Sequence, residues 1–171
     1  AIGDAARRTD CDLVVAPFEY EDGDVPPAIE DLFSTQLDVI AFRPVRDEID
    51  WNDVLVTIAR PGNVANAMMD YAQRLVGRGG RVTACACIDD ESERREAERK
   101  LADVVTVCKA RCETRVAQSR FQEFIKGNGT RYDLVFLGAS TDRSATSRLF
   151  RSPAYRAAAE AQTDVAIVHQ G

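Results

Sequence analysis

Asp12-Leu13-Val14-Val15 through Asp38-Val39-Ile40-Ala41 and Asp133-Leu134-Val135-Phe136 through Asp164-Val165-Ala166-Ile167 follow one pattern. Each is an apolar strand opened by Asp, then a helical stretch, then a second apolar strand opened by Asp. A repeat on this scale decides the fold before local propensity does. Strand–helix–strand units of this kind put their strands in a parallel sheet, because a parallel connection needs a crossover.

Working outward from the first unit, Asp12 to Phe18 reads as a strand, Glu19 to Asp24 as an acidic loop, and Pro26-Pro27 as the opening of a helix that runs to about Thr35. Leu37 to Phe42 is the second strand. The charged stretch Arg43 to Asp50 is the one plausible boundary, dividing the chain into a partial copy over 1–45 and a complete domain over 46–171.

Beyond the boundary the pattern restarts at Asp53 to Ala59. Val64, Ala67, Met68, Tyr71 and Leu75 form one face of a helix over Asn63 to Val76, stopped by Gly77 and Gly79-Gly80. Arg81 to Ile88 is a strand. A long helix follows, capped by Asp89 or Asp90, with Ala97, Leu101, Val104 and Cys108 as its buried stripe. Glu113 to Gln118 is a strand, Phe121 to Lys126 a short helix, Asp133 to Gly138 a strand, Pro153 to Ala161 a helix and Asp164 to His169 the last strand. Five strands alternating with four helices, joined by right-handed crossovers, predict an α/β domain with a doubly wound five-stranded parallel sheet, preceded by the partial copy. Ligands of such sheets bind beyond the carboxyl ends of the strands where the strand order reverses. Two loops compete for that place: Arg60 to Asn63, and Ala139 to Ser152.

Composition narrows the function classes. Twenty-eight acidic against twenty-two basic side chains give a net charge of −6, which argues against binding to nucleic-acid backbones. No apolar run approaches the roughly 20 residues needed to span a bilayer. The start at Ala1, in what reads as the end of a helix, suggests a fragment of something larger. Five cysteines, an odd number without a C-x-x-C pair, are expected to be buried structural thiols in a reducing compartment rather than a disulfide or zinc framework. Cys85 and Cys87 alternate on one strand, and Cys108 and Cys112 lie one turn apart near a helix end; either spacing could bind metal, but the expectation is no metal. Asp89-Asp90-Glu91 could hold Mg²⁺, yet Asp90 with Glu93 reads as a capping box. His169 has no nucleophile motif near it, and no acid–base pair stands at a recognisable spacing, so no catalytic residues are expected. Trp51 and Tyr71 read as packing residues.

The fourth-strand loop carries a resemblance. Asp133 through Thr141, then Ser147-Arg148-Leu149-Phe150-Arg151-Ser152, then a helix and Asp164 through Val168, resembles the terminal half of a universal stress protein domain, whose loop is written G-x2-G-x9-G-[S/T]. The likeness extends over about residues 53–171, with 1–44 as the end of a preceding copy. It implies the adenine-nucleotide-binding α/β fold of that family and, in its nucleotide-binding members, glycine backbone closing on phosphates. Mapped onto this chain, the cofactor-binding positions are Ala59, Gly138, Thr141, Arg151 and Ser152. Only Gly138 and Ser152 match the pattern; Ala59 stands where the family has a nucleotide-contacting acid. The resemblance therefore implies a degenerate nucleotide site with no cofactor, or, as the alternative, ATP or AMP held through altered contacts. Arg143, Arg148 and Arg151 are open to two readings: an anion site made of guanidinium groups, or a solvated basic loop. Thr141 and Ser152 read equally as a turn residue and a helix cap.

The expected function is thus a non-catalytic regulatory or assembly module. Trp51 to Asp90 also resembles the cytosolic carboxyl-terminal regions of amino-acid permeases and cation-chloride cotransporters, which implies a membrane transporter upstream in the same chain and a cytoplasmic location. In the family the last strands of two copies pair. Val39 to Phe42 is therefore expected against Val165 to Val168, within the chain or across a homodimer.

Overall fold

The computed structural model describes residues 5, 11–19, 25–106, 108, 111–139, 159 and 161–171. Its frame is one seven-stranded sheet. In chain order the elements are β1 (Leu13–Pro17), α1 (Pro27–Phe33), β2 (Asp38–Arg43), β3 (Asp53–Thr57), α2 (Asn63–Leu75), β4 (Arg81–Ile88), α3 (Arg94–Val105), β5 (Cys112–Gln118), α4 (Phe121–Asn128), β6 (Leu134–Gly138) and β7 (Asp164–His169). Most bounds fall within two residues of those expected, the usual uncertainty of element ends. The expected helix over 153–161 lies outside the described residues, Ala159 and Ala161 apart.

Across the sheet the strands stand in the order β1-β2-β7-β6-β3-β4-β5. The five strands from β3 to β7 are all parallel, and the order reverses between β3 and β6. This is the doubly wound five-stranded sheet. The first unit extends it: β1 pairs parallel with β2, and β2 pairs antiparallel with β7.

The registers make the sequence pattern physical. Leu13 stands opposite Asp38, and Leu134 opposite Asp164, so the two Asp-led units pair their strands identically. Across the antiparallel ladder Ala41 faces Ile167, with Val39 opposite His169 and Arg43 opposite Val165. Equivalent positions of the two units therefore meet about the middle of that ladder. The strands expected to pair, within the chain or across a dimer, pair within the chain. Neither is an edge; among the described residues the edges of the sheet are β1 and β5.

Strand alternation gives each face its own core. Val14, Ala16, Val39, Ala41, Leu55, Cys85, Val135, Leu137, Val165 and Ile167 face α1 and α4, which contribute Ile29, Leu32, Phe33, Phe124 and Ile125. Ile40, Val54, Val56, Val82, Ala84, Leu134, Phe136, Ala166 and Val168 face α2 and α3, which contribute Met68, Met69, Ala72, Leu101 and Val104. Central strands buried on both faces read as continuous apolar runs, as parallel sheets require.

The linker is tied down by the two aspartates of the second unit. Asp164, fully buried, accepts the backbone N–H of Val45 at 2.7 Å and of Arg46 at 3.2 Å, and the indole N–H of Trp51 at 2.8 Å. Asp133 accepts the N–H groups of Asn52 and Asp53 at 2.8 Å and pairs with Arg46 at 3.0 Å. Trp51 also meets Phe42 edge-on at 5.6 Å, so it packs and bonds at once. Among the described residues the counterpart Asp38 accepts one hydrogen bond, from the N–H of Gly171 at 3.3 Å.

Two local expectations change. Helix α3 ends at Val105, so Cys108 lies beyond it rather than on its stripe. Cys108 and Cys112 are not free thiols but are joined by a disulfide. Cys108 lies past the end of α3 and Cys112 at the start of β5, and both pack against the same apolar cluster. Cys11, Cys85 and Cys87 are free.

Candidate functional site

The reversal of strand order puts the carboxyl ends of β3 and β6 side by side, where the Thr57 hydroxyl donates to the Phe136 carbonyl at 2.9 Å. Chain leaving β3 passes Ile58, whose N–H bonds the Cys85 carbonyl at 2.8 Å, and reaches Ala59 and Arg60 in solvent. Pro61-Gly62 then turns it into α2. Gly62 has φ +145°, a conformation that side chains rarely adopt, and a Cβ there would touch nothing within 4 Å. The glycine is needed for the backbone angle, not for space. Its carbonyl accepts the first intrahelical bond, from the N–H of Asn66 at 3.0 Å.

No side chain caps α2. By helix geometry the N–H groups of Asn63, Val64 and Ala65 lack intrahelical acceptors and form the positive end of the helix. That end lies against the tip of β6. A Cβ on Gly138 would fall 3.1 Å from Val64 Cγ1 and 3.5 Å from Met68 Cε, so Gly138 lets β6 approach the first turns of α2 closely. Gly138 itself is exposed. The two described members of the expected site thus stand at the same end of the sheet, Ala59 two residues past the end of β3 and Gly138 at the end of the adjacent β6. Thr141, Arg151 and Ser152 lie outside the described residues, as do Arg143 and Arg148.

What the described crevice offers chemically is limited. Ala59 brings only a methyl group to the place where the resemblance implies an acid. Arg60 is exposed beside it. The remaining polar contribution is backbone: the first turn of α2 and the chain around Gly138. Such an end can attract an anion, but Ala59 gives no side-chain acceptor or metal ligand to orient one.

The other candidates resolve into structural roles. Asp90 accepts the N–H of Ser92 at 2.7 Å, and Glu93 reaches back to the N–H of Asp90 at 3.5 Å, a capping box on the single 3-10 turn before α3. Bonding by Ser92 holds the Asp90 carboxyl below its ordinary range. His169 stacks obliquely on Phe33 at 5.6 Å. Tyr71 is partly buried on α2, and desolvation, with Asp38 and Asp70 adding to it, pushes its phenol up. Among the described residues no group of three His, Cys, Asp or Glu side chains converges as a metal site.

An open cleft of about 560 Å³ lies beyond β4 and β5, lined by Ile88, Asp89, Gln118, Ser119, Arg120 and Glu123. It is not at the reversal point, and neither Ala59 nor Gly138 lines it. Its mixed charges sit on an open surface, so the candidate site stays at the reversal point between β3 and β6, where sheets of this kind bind ligands. Gly62 is the position that sequence reasoning placed in a competing loop without naming as a site residue; the Pro-Gly pair just before a periodic apolar helix was the signal.

No protein-family model matches the chain, and no curated protein matches it in sequence. Solved structures do. The chain is similar to a universal stress protein from Archaeoglobus fulgidus, at 19% identity over 69% of this chain and 98% of that one, with a TM-score of 0.57. It is similar to another from Archaeoglobus fulgidus DSM 4304 at 12% identity over 98% of this chain, with a TM-score of 0.68. This chain spans 63% of the length of that longer relative. A third, a universal stress protein from Archaeoglobus fulgidus solved in complex with dAMP, matches at 15% identity over 71% of this chain and 99% of that one, with a TM-score of 0.54. At these identities the likeness is one of fold: an α/β sheet of the universal stress protein type.

Proposed function

We propose that the chain is a non-catalytic regulatory or assembly module in which the nucleotide crevice of the universal stress protein fold has lost its polar anchors. Ala59 carries this reading: it stands exposed at the mouth of the crevice, one strand from Gly138, where an acid would be needed to orient a nucleotide. A charge-assisted bond is worth about 1.5 to 3 kcal/mol, and loss of the acid and of two glycines removes three such anchors. Binding should then be weaker by at least about a thousandfold than in a site that keeps them.

The partial first unit fits an assembly role. Its second strand, β2, pairs with β7, so residues 1–45 are read as the end of one copy and 46–171 as a complete second copy, with β1 at the outer edge of the described sheet, where it can pair with another chain. A homodimer through that edge, and a place on the cytosolic side of a membrane transporter, belong to this proposal. Among the described residues no helix is long and apolar enough to cross a membrane.

One observation favours a second reading, binding of ATP or AMP through altered contacts: the uncapped first turn of α2 opens on the crevice, and a relative of this fold was solved with dAMP. The two readings part on restoration. Under the first, the Ala59→Asp, Thr141→Gly, Arg151→Gly triple variant gains ATP binding measurable by calorimetry, whereas the unmodified chain has none tighter than about 1 mM. Under the second, Arg151→Gly alone abolishes binding already present. A folded triple variant that still binds nothing counts against a nucleotide crevice of either kind.

A further inference from the structure

Strand β4 presents two thiols to one face. Residues two apart on a strand point the same way, and Cys85 and Cys87 both pack on the face covered by α1 and α4. Cys85 is 2% exposed, while Cys87 is half-buried and reachable from solvent. Directly across the ladder on β5, Cys85 faces Arg115 and Cys87 faces Ala117. The small Ala117 leaves room beside the outer thiol. Arg115 is held in place from three sides: its guanidinium donates to Asn128 Oδ1 at 3.3 Å and to the Tyr132 hydroxyl at 3.4 Å, and lies 4.9 Å from the centre of the Phe124 ring. Two free thiols therefore share a half-sealed apolar niche with one fixed cation.

We propose that Cys85 and Cys87 form a two-thiolate site for a soft monovalent metal ion, Cu(I), with Arg115 balancing the charge of the complex. Thiolates select soft ions. A zinc site needs four ligands, and among the described residues no third His, Cys, Asp or Glu joins the pair. Cys85 and Cys87 are both free, unlike the bonded pair Cys108 and Cys112, so two thiols on one face are available to a single ion.

Cys87 is the outer, partly exposed thiol, and Cys85 lies deeper, its thiol directed at the Ala86 carbonyl 3.9 Å away. The balance is Cu⁺ plus two thiols giving the anionic bis-thiolate complex and two protons released to solvent, with no change in oxidation state. Arg115 offsets the resulting negative charge.

The test is Cu(I) titration of the full chain under ascorbate without oxygen, with bathocuproine disulfonate as the competing chelator and mass spectrometry verifying that the Cys108–Cys112 bond is intact. Expected are one Cu(I) per chain and release of about two protons per ion near neutral pH. Cys87→Ser and Cys85→Ala should each lower affinity by a hundredfold or more, and Cys11→Ser should leave it unchanged. Arg115→Gln should weaken it by about tenfold, the scale of one nearby charge, with far-ultraviolet circular dichroism unaltered. Absence of binding in the unmodified chain, binding that survives Cys87→Ser, or binding that is lost only when Cys108 and Cys112 are replaced would overturn the proposal.

Discussion

Replacing Asp164 by Ala should cost about 3 to 5 kcal/mol of stability, whereas the same change at Asp38 should cost no more than about 1 kcal/mol. Both residues open the second strand of an Asp-led unit and stand at the same register. Their surroundings differ. Asp164 is fully buried and accepts three hydrogen bonds, from the N–H groups of Val45 and Arg46 and from the Trp51 indole. Each bond to a charged acceptor contributes about 1.5 to 3 kcal/mol, and each donor left buried without a partner costs about 1 to 3 kcal/mol. Val45 is 42% exposed, so water can recover part of the backbone loss. The Trp51 indole is less able to find it, which leaves the range stated. Among the described residues Asp38 accepts one bond, of 3.3 Å, from an exposed N–H. Urea unfolding followed by far-ultraviolet circular dichroism measures both variants against the unmodified chain. Equal costs at the two positions would refute the argument, because they would mean that linker anchoring adds nothing to strand register.

Gly62→Ala should destabilise by about 1 to 3 kcal/mol through backbone strain alone, since φ is +145° and no atom lies within reach of the new methyl; calorimetric melting checks it, and a neutral result would mean that the turn into α2 relaxes freely. Thiol titration in denaturant without reductant should count three reactive cysteines, Cys11, Cys85 and Cys87, whereas five would show the Cys108–Cys112 bond to be absent. For the capping box, the folded-state carboxyl of Asp90 lies below its unfolded value. Its contribution is therefore present above the unfolded pKa of about 3.9 and is lost as pH falls through the lower folded value. Melting curves of Asp90→Ala and the unmodified chain should differ at neutral pH and converge in acid; a constant difference would rule out titration of the cap.

The sheet was legible because parallel strands buried on both faces announce themselves as apolar runs, and Asp at the head of each unit marks where the chain turns in. Val39 to Phe42 against Val165 to Val168 followed from the resemblance rather than from any pattern in those residues, since one apolar strand pairs as readily as another. The Cys108–Cys112 bond was not legible because an odd count of five cysteines without a C-x-x-C pair favours free thiols. Where α3 stops depends on tertiary packing, which local periodicity does not report. The capping box at Asp90 and Glu93 was readable outright, being a contact of near neighbours. Of the candidate site, Gly138 and Ala59 were found through the resemblance, and Gly62 was only grouped in a loop because its backbone angle has no composition signature beyond Pro-Gly. The anchoring role of Asp164 joins residues more than a hundred positions apart and could not be seen along the chain.

Calorimetric titration of the unmodified chain with Mg-ATP tests the central claim most directly. With a methyl group at residue 59 in place of an acid, the account predicts no saturable heat at nucleotide concentrations up to about 1 mM. A dissociation constant in the micromolar range would contradict it, and would make the crevice between β3 and β6 a working nucleotide site.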